Sequence, residues 1–212
     1  VDATYNVFKL PVEAPTFGTR ELVSNPWDLS ASPLGWHSNG TTTYQHTRGN
    51  NVHAYFDNRA NNSAPSTDMT TGGENRIFDF PYSEGQNISA YDSKHAAITN
   101  LFYLNNMMHD IFYKFGFTET ARNYQVNNFD KGGVGNDAVL AEAYDGSGYN
   151  NANFNSGYEI SSGTTQQVLA PRMQMYLWKS GTLGSQQKVF YNSPSDAVNR
   201  PPVNAGYANF GR

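Results

Sequence analysis

Between Asp92 and Phe117 the apolar positions fall on helical spacing. Ala97, Leu101, Leu104, Met108, Ile111 and Phe115 recur at steps of four and three. On a helix of 3.6 residues per turn those steps form one apolar stripe. Asp92 or Ser93 can cap the start by accepting a hydrogen bond from a first-turn N–H. Gly116 can end it, because a residue without a Cβ takes the left-handed C-cap conformation cheaply. Neither Pro nor Gly interrupts the interior. The pattern predicts a helix of about 23 residues, roughly 35 Å long.

Elsewhere the hydrophobic pattern alternates in short runs. Thr4–Leu10 predicts an edge strand, and Pro11, Pro15, Pro26 and Pro33 then predict an irregular wrapping arm. Asn25-Pro26-Trp27-Asp28 is a turn signal carrying a large aromatic to bury. Residues 41–57 predict two strands joined through Arg48-Gly49-Asn50-Asn51, with His46 and His53 in them. Residues 58–75 are polar, without periodicity, and predict a surface loop. Ile77–Tyr82 carries Phe78, Phe80 and Tyr82 at alternate positions. Asp137–Tyr144 fits a strand, Asp145-Gly146-Ser147-Gly148 a turn, and Tyr149–Phe154 and Arg172–Trp178 two further strands. In the last of these Met173, Met175 and Leu177 alternate with Arg172, Gln174 and Tyr176, so one face is apolar. The predicted class is α+β: a β-rich lobe around one long buried helix, with no internal repeat.

Composition narrows the functional classes. The 212 residues, 38% hydrophobic and 14% aromatic, suffice for one sizeable core or two small ones. A net charge of −4 without a basic block argues against nucleic acid as a partner. There is no Cys, which excludes disulfides, thiol nucleophiles and Cys-based metal sites. No apolar run reaches membrane-spanning length. The opening VDATYNVFKL lacks an initiator Met and a charged-then-apolar leader, which predicts a processed N-terminus. Sequons at Asn39, Asn61 and Asn87 would be modified only in a eukaryotic secretory pathway.

Candidate chemistry is sparse. No Gly-x-Ser-x-Gly elbow and no His-Glu-x-x-His occurs. His37, His46, His53, His95 and His109 are scattered, none within four residues of another. His46 and His53 can face each other across a hairpin, but no third ligand accompanies them. His95 and His109 lie 14 positions apart on the predicted helix, roughly 21 Å of rise and too far for one metal. His109 and Asp110 are read as polar ties from the helix to surrounding loops, or His109 as part of a substrate cleft. Gly132-Gly133-Val134-Gly135 lacks the Gly-Lys-Ser/Thr ending of a phosphate loop. Asp130, Asn136, Asp137, Glu142 and Asp145 offer oxygen donors suited to calcium, or form a solvated acidic loop.

Four stretches carry a resemblance. They are WHSNGTTTYQHTRGNNVHA (Trp36–Ala54), AAITNLFYLNNMMHDIFYKFGF (Ala96–Phe117), NFDKGGVGNDAVLAEAYDGSGYNNANF (Asn128–Phe154) and RMQMYLW (Arg172–Trp178). In this order they resemble the N-terminal part of the peptidase domain of the fungalysin family. That family comprises secreted zinc metalloendopeptidases of thermolysin-like fold, made with an inhibitory propeptide. The resemblance implies an N-terminal lobe over residues 1–180. Residues 181–212 would be a linker and the start of an inserted protease-associated domain, which Gln186–Gly211 resembles. It further implies that the zinc helix lies on a separate C-terminal catalytic lobe. This chain then contributes no metal ligand and no catalytic residue, and is inactive without that lobe. The alternative is a non-catalytic peptide-binding module or an inactive fragment.

In such enzymes an Asn-Ala edge strand lies above the zinc and pairs with extended peptide substrate through the main chain. By resemblance that strand is Asn150, Asn151, Ala152, Asn153 and Phe154. Asn151 matches the side chain that holds the substrate backbone, and Ala152 the carbonyl that contacts it. A small side chain at 152 suits close approach of a second backbone. Phe154 packs in the lobe or lines the cleft rim. The expected partners are a peptide or protein substrate, the catalytic lobe and the propeptide, with no nucleic acid and no membrane. The expected location is extracellular.

Overall fold

The computed structural model describes residues 1–12, 15–82, 93–162, 165–177, 180–183 and 186–189. Among them are one α-helix, α1 (Lys94–Lys114), and eleven strands. The strands are β1 (Thr4–Val7), β2 (Glu21–Ser24), β3 (Val52–Phe56), β4 (Ile77–Phe78), β5 (Val139–Tyr149), β6 (Ala152–Asn155), β7 (Tyr158–Ser162), β8 (Thr165–Leu169), β9 (Arg172–Leu177), β10 (Ser180–Leu183) and β11 (Gln186–Val189). The α+β class expected from the sequence is the one observed.

Helix α1 is the axis of the fold. Every residue from Ala96 to Leu104 is buried, because β1, β3 and β5 all pack against this half. The predicted stripe holds at Ala97, Leu101 and Leu104 but not beyond. Met108 is 38% exposed and Phe115 83%. Length explains the difference: α1 is roughly 31 Å long, whereas five-residue β3 is roughly 16 Å, so the C-terminal half overhangs its sheet. Ser93 holds the N-cap position without a side-chain cap bond, and Asp92 lies outside the described residues. The C-terminus closes as expected. Gly116 takes φ +97°, with Gly116 N–H on the Tyr113 carbonyl (3.0 Å) and Phe117 N–H on that of Phe112 (3.0 Å). That pair of bonds is a Schellman cap.

Two sheets flank α1. The smaller has the order β2-β1-β4, with β2 antiparallel and β4 parallel to β1. β1 is therefore central rather than an edge. The proline signal misleads here because Pro11 lies past the end of the strand and takes no ladder position. The larger sheet has the order β3-β5-β9-β6. Its first three strands are parallel and β6 is an antiparallel edge. Only the second half of residues 41–57 forms a strand; the first makes isolated bridges, Ser38 to Thr43 and His46 to Thr71. The turn between them is held tightly, since a Cβ on Gly49 would lie 1.5 Å from the Trp36 carbonyl oxygen. The expected turn at Asp145–Gly148 is instead part of β5, which runs through it with two register shifts against β9. β7–β8 and β10–β11 are two-stranded hairpins. The tail from residue 190 onward lies outside the described residues.

The loop-rich arm is held to α1 by polar groups. Asp110, 4% exposed, accepts from Asp28 N–H (3.0 Å), Ser32 Oγ (2.6 Å) and Trp36 Nε1 (2.9 Å). Asn51 Nδ2 donates to Ser32 Oγ (3.0 Å) and Asn106 Oδ1 (3.1 Å), and Phe8 N–H to Asn100 Oδ1 (2.9 Å). Trp36 brings its indole into an aromatic core with Tyr5, Phe102 and Tyr103. His37 is fully buried there, stacked on Phe78 (5.1 Å) and Phe102 (4.8 Å). Its Nε2 meets Tyr5 Oη (2.7 Å) and its Nδ1 the Arg48 carbonyl (3.2 Å). Burial pulls the His37 pKa down from 6.5 to about 3, so the ring is neutral.

Two outcomes follow for stability. Asp110→Ala leaves three donors of the arm without their acceptor, and is expected to cost about 3–5 kcal/mol. Phe115→Ala, at an exposed position, stays within about 0.5 kcal/mol. Urea unfolding of the two variants checks the contrast. Between pH 6.5 and about 3 the unfolded chain carries a proton that native His37 refuses. Stability therefore falls as pH drops through that window, by about 1.4 kcal/mol per pH unit. In His37→Gln that much of the slope disappears; an unchanged slope would show that His37 is not held neutral.

Candidate functional site

Alternation gives the larger sheet two different faces. Ala54, Ala141, Ala143, Met173 and Met175 belong to the hydrophobic core on the α1 side or pack against it. The opposite face is polar. In register across the four strands stand Tyr55, Glu142, Gln174 and Asn153. Tyr55 Oη donates to Glu142 Oε1 (2.6 Å), Gln174 Nε2 to Glu142 Oε2 (3.0 Å), and Asn153 Nδ2 to Gln174 Oε1 (2.9 Å). Arg172 pairs with Glu142, and Asn153 Nδ2 also reaches Tyr176 Oη (2.6 Å). Burial pushes the Glu142 carboxyl above its ordinary range, and burial followed by the Glu142 hydrogen bond raises the Tyr55 phenol. This row fastens edge strand β6 to the interior.

The other side of β6 is open. Tyr176 N–H donates to the Asn151 carbonyl (3.3 Å), which fixes the alternation of the β6–β9 ladder. Asn151, Asn153 and Asn155 turn their main-chain groups toward β9. Ala152 and Phe154 turn theirs outward. The Ala152 N–H is taken by Asn151 Oδ1 (2.9 Å). The Ala152 carbonyl and both main-chain groups of Phe154 thus point away from the sheet. Asn150, at φ +55°, makes the turn into the strand. Of the five residues named from the sequence, Ala152, Asn153 and Phe154 lie in β6, and Asn150 and Asn151 in the turn before it.

Phe154 is 47% exposed and packs against Tyr124, ring centroids 5.9 Å apart. It walls an apolar cavity of about 300 Å³ with Met108, Phe112, Phe117 and Met173. His109 borders the same cavity, with Nδ1 2.9 Å from Asp110 Oδ1 and Nε2 2.9 Å from Gln125 Oε1. It ties α1 to the loop at Gln125, as the sequence suggested.

The same geometry decides which metal the described residues could hold. Zinc takes His nitrogen or Cys sulfur with at most a few carboxylates. Among the described residues one group of three candidate donors comes together: Asp57, Glu142 and Asp145, all buried, with oxygens within 4.8 Å of one another. The histidines are engaged separately: His37 with Tyr5, His95 with Thr70 (3.1 Å), and His109 with Asp110 and Gln125. A bridge pairs His53 with Arg48, not with His46. The described residues do not fit zinc. Of the five oxygen donors considered for calcium, Glu142 and Asp145 join Asp57. Asp137 instead accepts the Gln125 N–H (2.8 Å), and Asp130 and Asn136 line an open loop pocket. The carboxylates of the cluster already accept hydrogen bonds. Asp57 takes Asn61 and Asn62 N–H, and Asp145 takes Ser147 and Gln174. Sequence reasoning missed Tyr55, Asp57 and Arg172. The signal available was the period of two in VHAYF and VLAEAY, which places Tyr55 and Glu142 on one face.

Among the described residues no helix is long and apolar enough to cross a membrane. The family model for fungalysin metallopeptidase (M36) matches residues 4–196. Extracellular metalloproteinase 5 of Trichophyton tonsurans is 39% identical over 220 residues, 98% of this chain and 34% of the relative. The protein of the same name from Trichophyton rubrum is 44% identical over 182 residues, 83% of this chain and 26% of the relative. Extracellular metalloproteinase 1 of Arthroderma gypseum is 43% identical over 182 residues, again 83% and 26%. The chain spans about a third or less of the length of these relatives. The family match takes in α1, both sheets and the open edge together: the chain belongs to the fungalysin metallopeptidase (M36) family.

Proposed function

We propose that this chain is the N-terminal, substrate-binding lobe of a secreted zinc metalloendopeptidase. Peptide or protein substrate adds as a strand along β6, and the zinc-bearing residues lie on a further catalytic lobe. Without that lobe the chain is inactive. The observation that carries this reading is the open edge, where the Ala152 carbonyl and the main chain of Phe154 face outward from a strand anchored behind by Asn153. Strand addition at such an edge draws affinity from main-chain hydrogen bonds and asks little of side chains. The relatives' name, extracellular metalloproteinase, supports metal-dependent proteolysis and secretion. Their greater length leaves room for a zinc site that the described residues do not form. Residues 1–180 make the lobe, and 181–212 begin a linker and an inserted protease-associated domain.

The first test compares the 212-residue chain with the full-length protein. The full-length protein is expected to carry stoichiometric zinc and to cleave casein in a chelator-sensitive way. The chain alone is expected to do neither, and chelator-sensitive cleavage by the chain alone overturns the assignment. The second test is Ala152→Pro. Its N–H points away from β9, so the ladder survives. The ring crowds the outward side and breaks the Asn151 contact. The kcat/KM of the full-length enzyme for peptides should fall about tenfold, the equivalent of roughly one hydrogen bond. A correctly folded variant with unchanged kcat/KM removes β6 from substrate binding.

A further inference from the structure

The apolar stripe of α1 runs on past the point where its cover stops. Met108, Phe112 and Phe115 continue the line of Ala97, Leu101 and Leu104 at steps of four and three, so all six lie on one side of the helix. The first three are buried under the chain's own strands. The last three are exposed, at 38%, 48% and 83%. They are large and stand in a row, unlike the single apolar side chains that any surface carries. Spacing of i, i+4 and i+7 is what one helix offers another when ridges of side chains pack into grooves.

Beside this row lies the cavity of about 300 Å³ that Met108 and Phe112 share with Phe117, Phe154 and Met173. Asn51 lines it as well. That residue is 3% exposed, and its Nδ2 is engaged with Ser32 and Asn106. Its Oδ1 has no hydrogen-bond partner among the described residues. A buried acceptor left unpaired is costly. The cavity therefore suits an occupant that is apolar over most of its surface and carries one donor. The side chains of Tyr and Trp have that build.

Two observations say where the occupant comes from. Phe154 belongs both to this cavity and to β6, so whatever seats here lies against the strand with the open edge. The chain also spans about a third or less of its relatives, which leaves length for a second lobe in the same polypeptide. Resting on the reading above, we propose that the catalytic lobe docks on this face. It lays a helix along Met108, Phe112 and Phe115 and places an aromatic side chain with a donor at its tip in the cavity, beside Asn51. Helix α1 then serves two cores. Its first half fills the N-terminal lobe, and its second half holds the catalytic lobe against β6.

The test uses the full-length protein. Hydroxyl radicals label accessible side chains, and mass spectrometry reads the rate at each residue in the native and the urea-unfolded protein. Phe112 and Phe115 are each expected to label at least tenfold more slowly in the native protein, and a smaller difference at either overturns the proposal. A second measurement identifies what covers them. Phe112 is replaced by the photo-crosslinking analogue p-benzoylphenylalanine. Irradiation is expected to join it to a peptide of the lobe that carries His-Glu-x-x-His, beyond residue 212 of the same polypeptide. A crosslink within residues 1–212, to chain preceding residue 1, to an inserted domain or to a second polypeptide overturns the proposal, as does none at all. Zinc and casein cleavage without the crosslink leave the peptidase reading standing and remove the docking alone. Absence of both zinc and cleavage removes the two together. Truncating Phe115 is cheap only in the lobe by itself.

Discussion

The constraint on which the structure depends is the buried carboxylate of Asp110. A charge in a protein interior is tolerated only when its lone pairs are satisfied. Asp110 recruits the backbone of Asp28, the hydroxyl of Ser32 and the indole of Trp36, and His109 Nδ1 meets it from the next position on the helix. Those contacts bind onto α1 the segment from Asp28 to Trp36, which has neither helix nor strand; the expected irregular arm is regular only at β2 before it. The arm in turn delivers Trp36 and His37 into the aromatic core. Asn100 and Asn106 do the same for the end of β1 and the start of β3. The helix organises the fold through its polar residues as much as through its apolar stripe. That is how a chain with short strands and long loops among the described residues before α1 acquires one defined core.

This also explains which parts could be read from the sequence. Helix α1, its glycine C-cap and strands β5 and β9 were legible because their signals are local: spacing, a residue without a Cβ, and alternation in RMQMYLW. The central place of β1 was not, since it depends on β4 arriving from residue 77. Nor was the end of the buried stripe at Leu104, because what covers a helix is decided by the lengths of its neighbours. The strand at Tyr149–Phe154 was legible from the chain, but the proposed role of residues 150–154 as a substrate edge came only through resemblance. The polar row was invisible for the opposite reason. Tyr55, Glu142 and Gln174 are far apart in the chain and meet only once the register of four strands is set.

The polar row and the open edge are two sides of one arrangement. An edge strand that accepts another backbone, as proposed for β6, cannot be pinned from its outer side. It has to be held from within, by its ladder to β9 and by the Asn153–Gln174–Glu142 chain. Glu142 is fully buried, and its oxygens are shared among Tyr55, Arg172 and Gln174. A carboxylate so placed does not rearrange cheaply, because any movement leaves several donors unpaired at once. The anchor is therefore stiff. The outer face needs only small side chains such as Ala152 and groups already aligned for a ladder.

Stiffness at the base contrasts with the ribbon beyond it. β6 has β9 and then β5 behind it, whereas β7 has β8 alone. On the proposed reading, a chain docking on β6 meets a preformed template and loses little of its binding energy to ordering the protein.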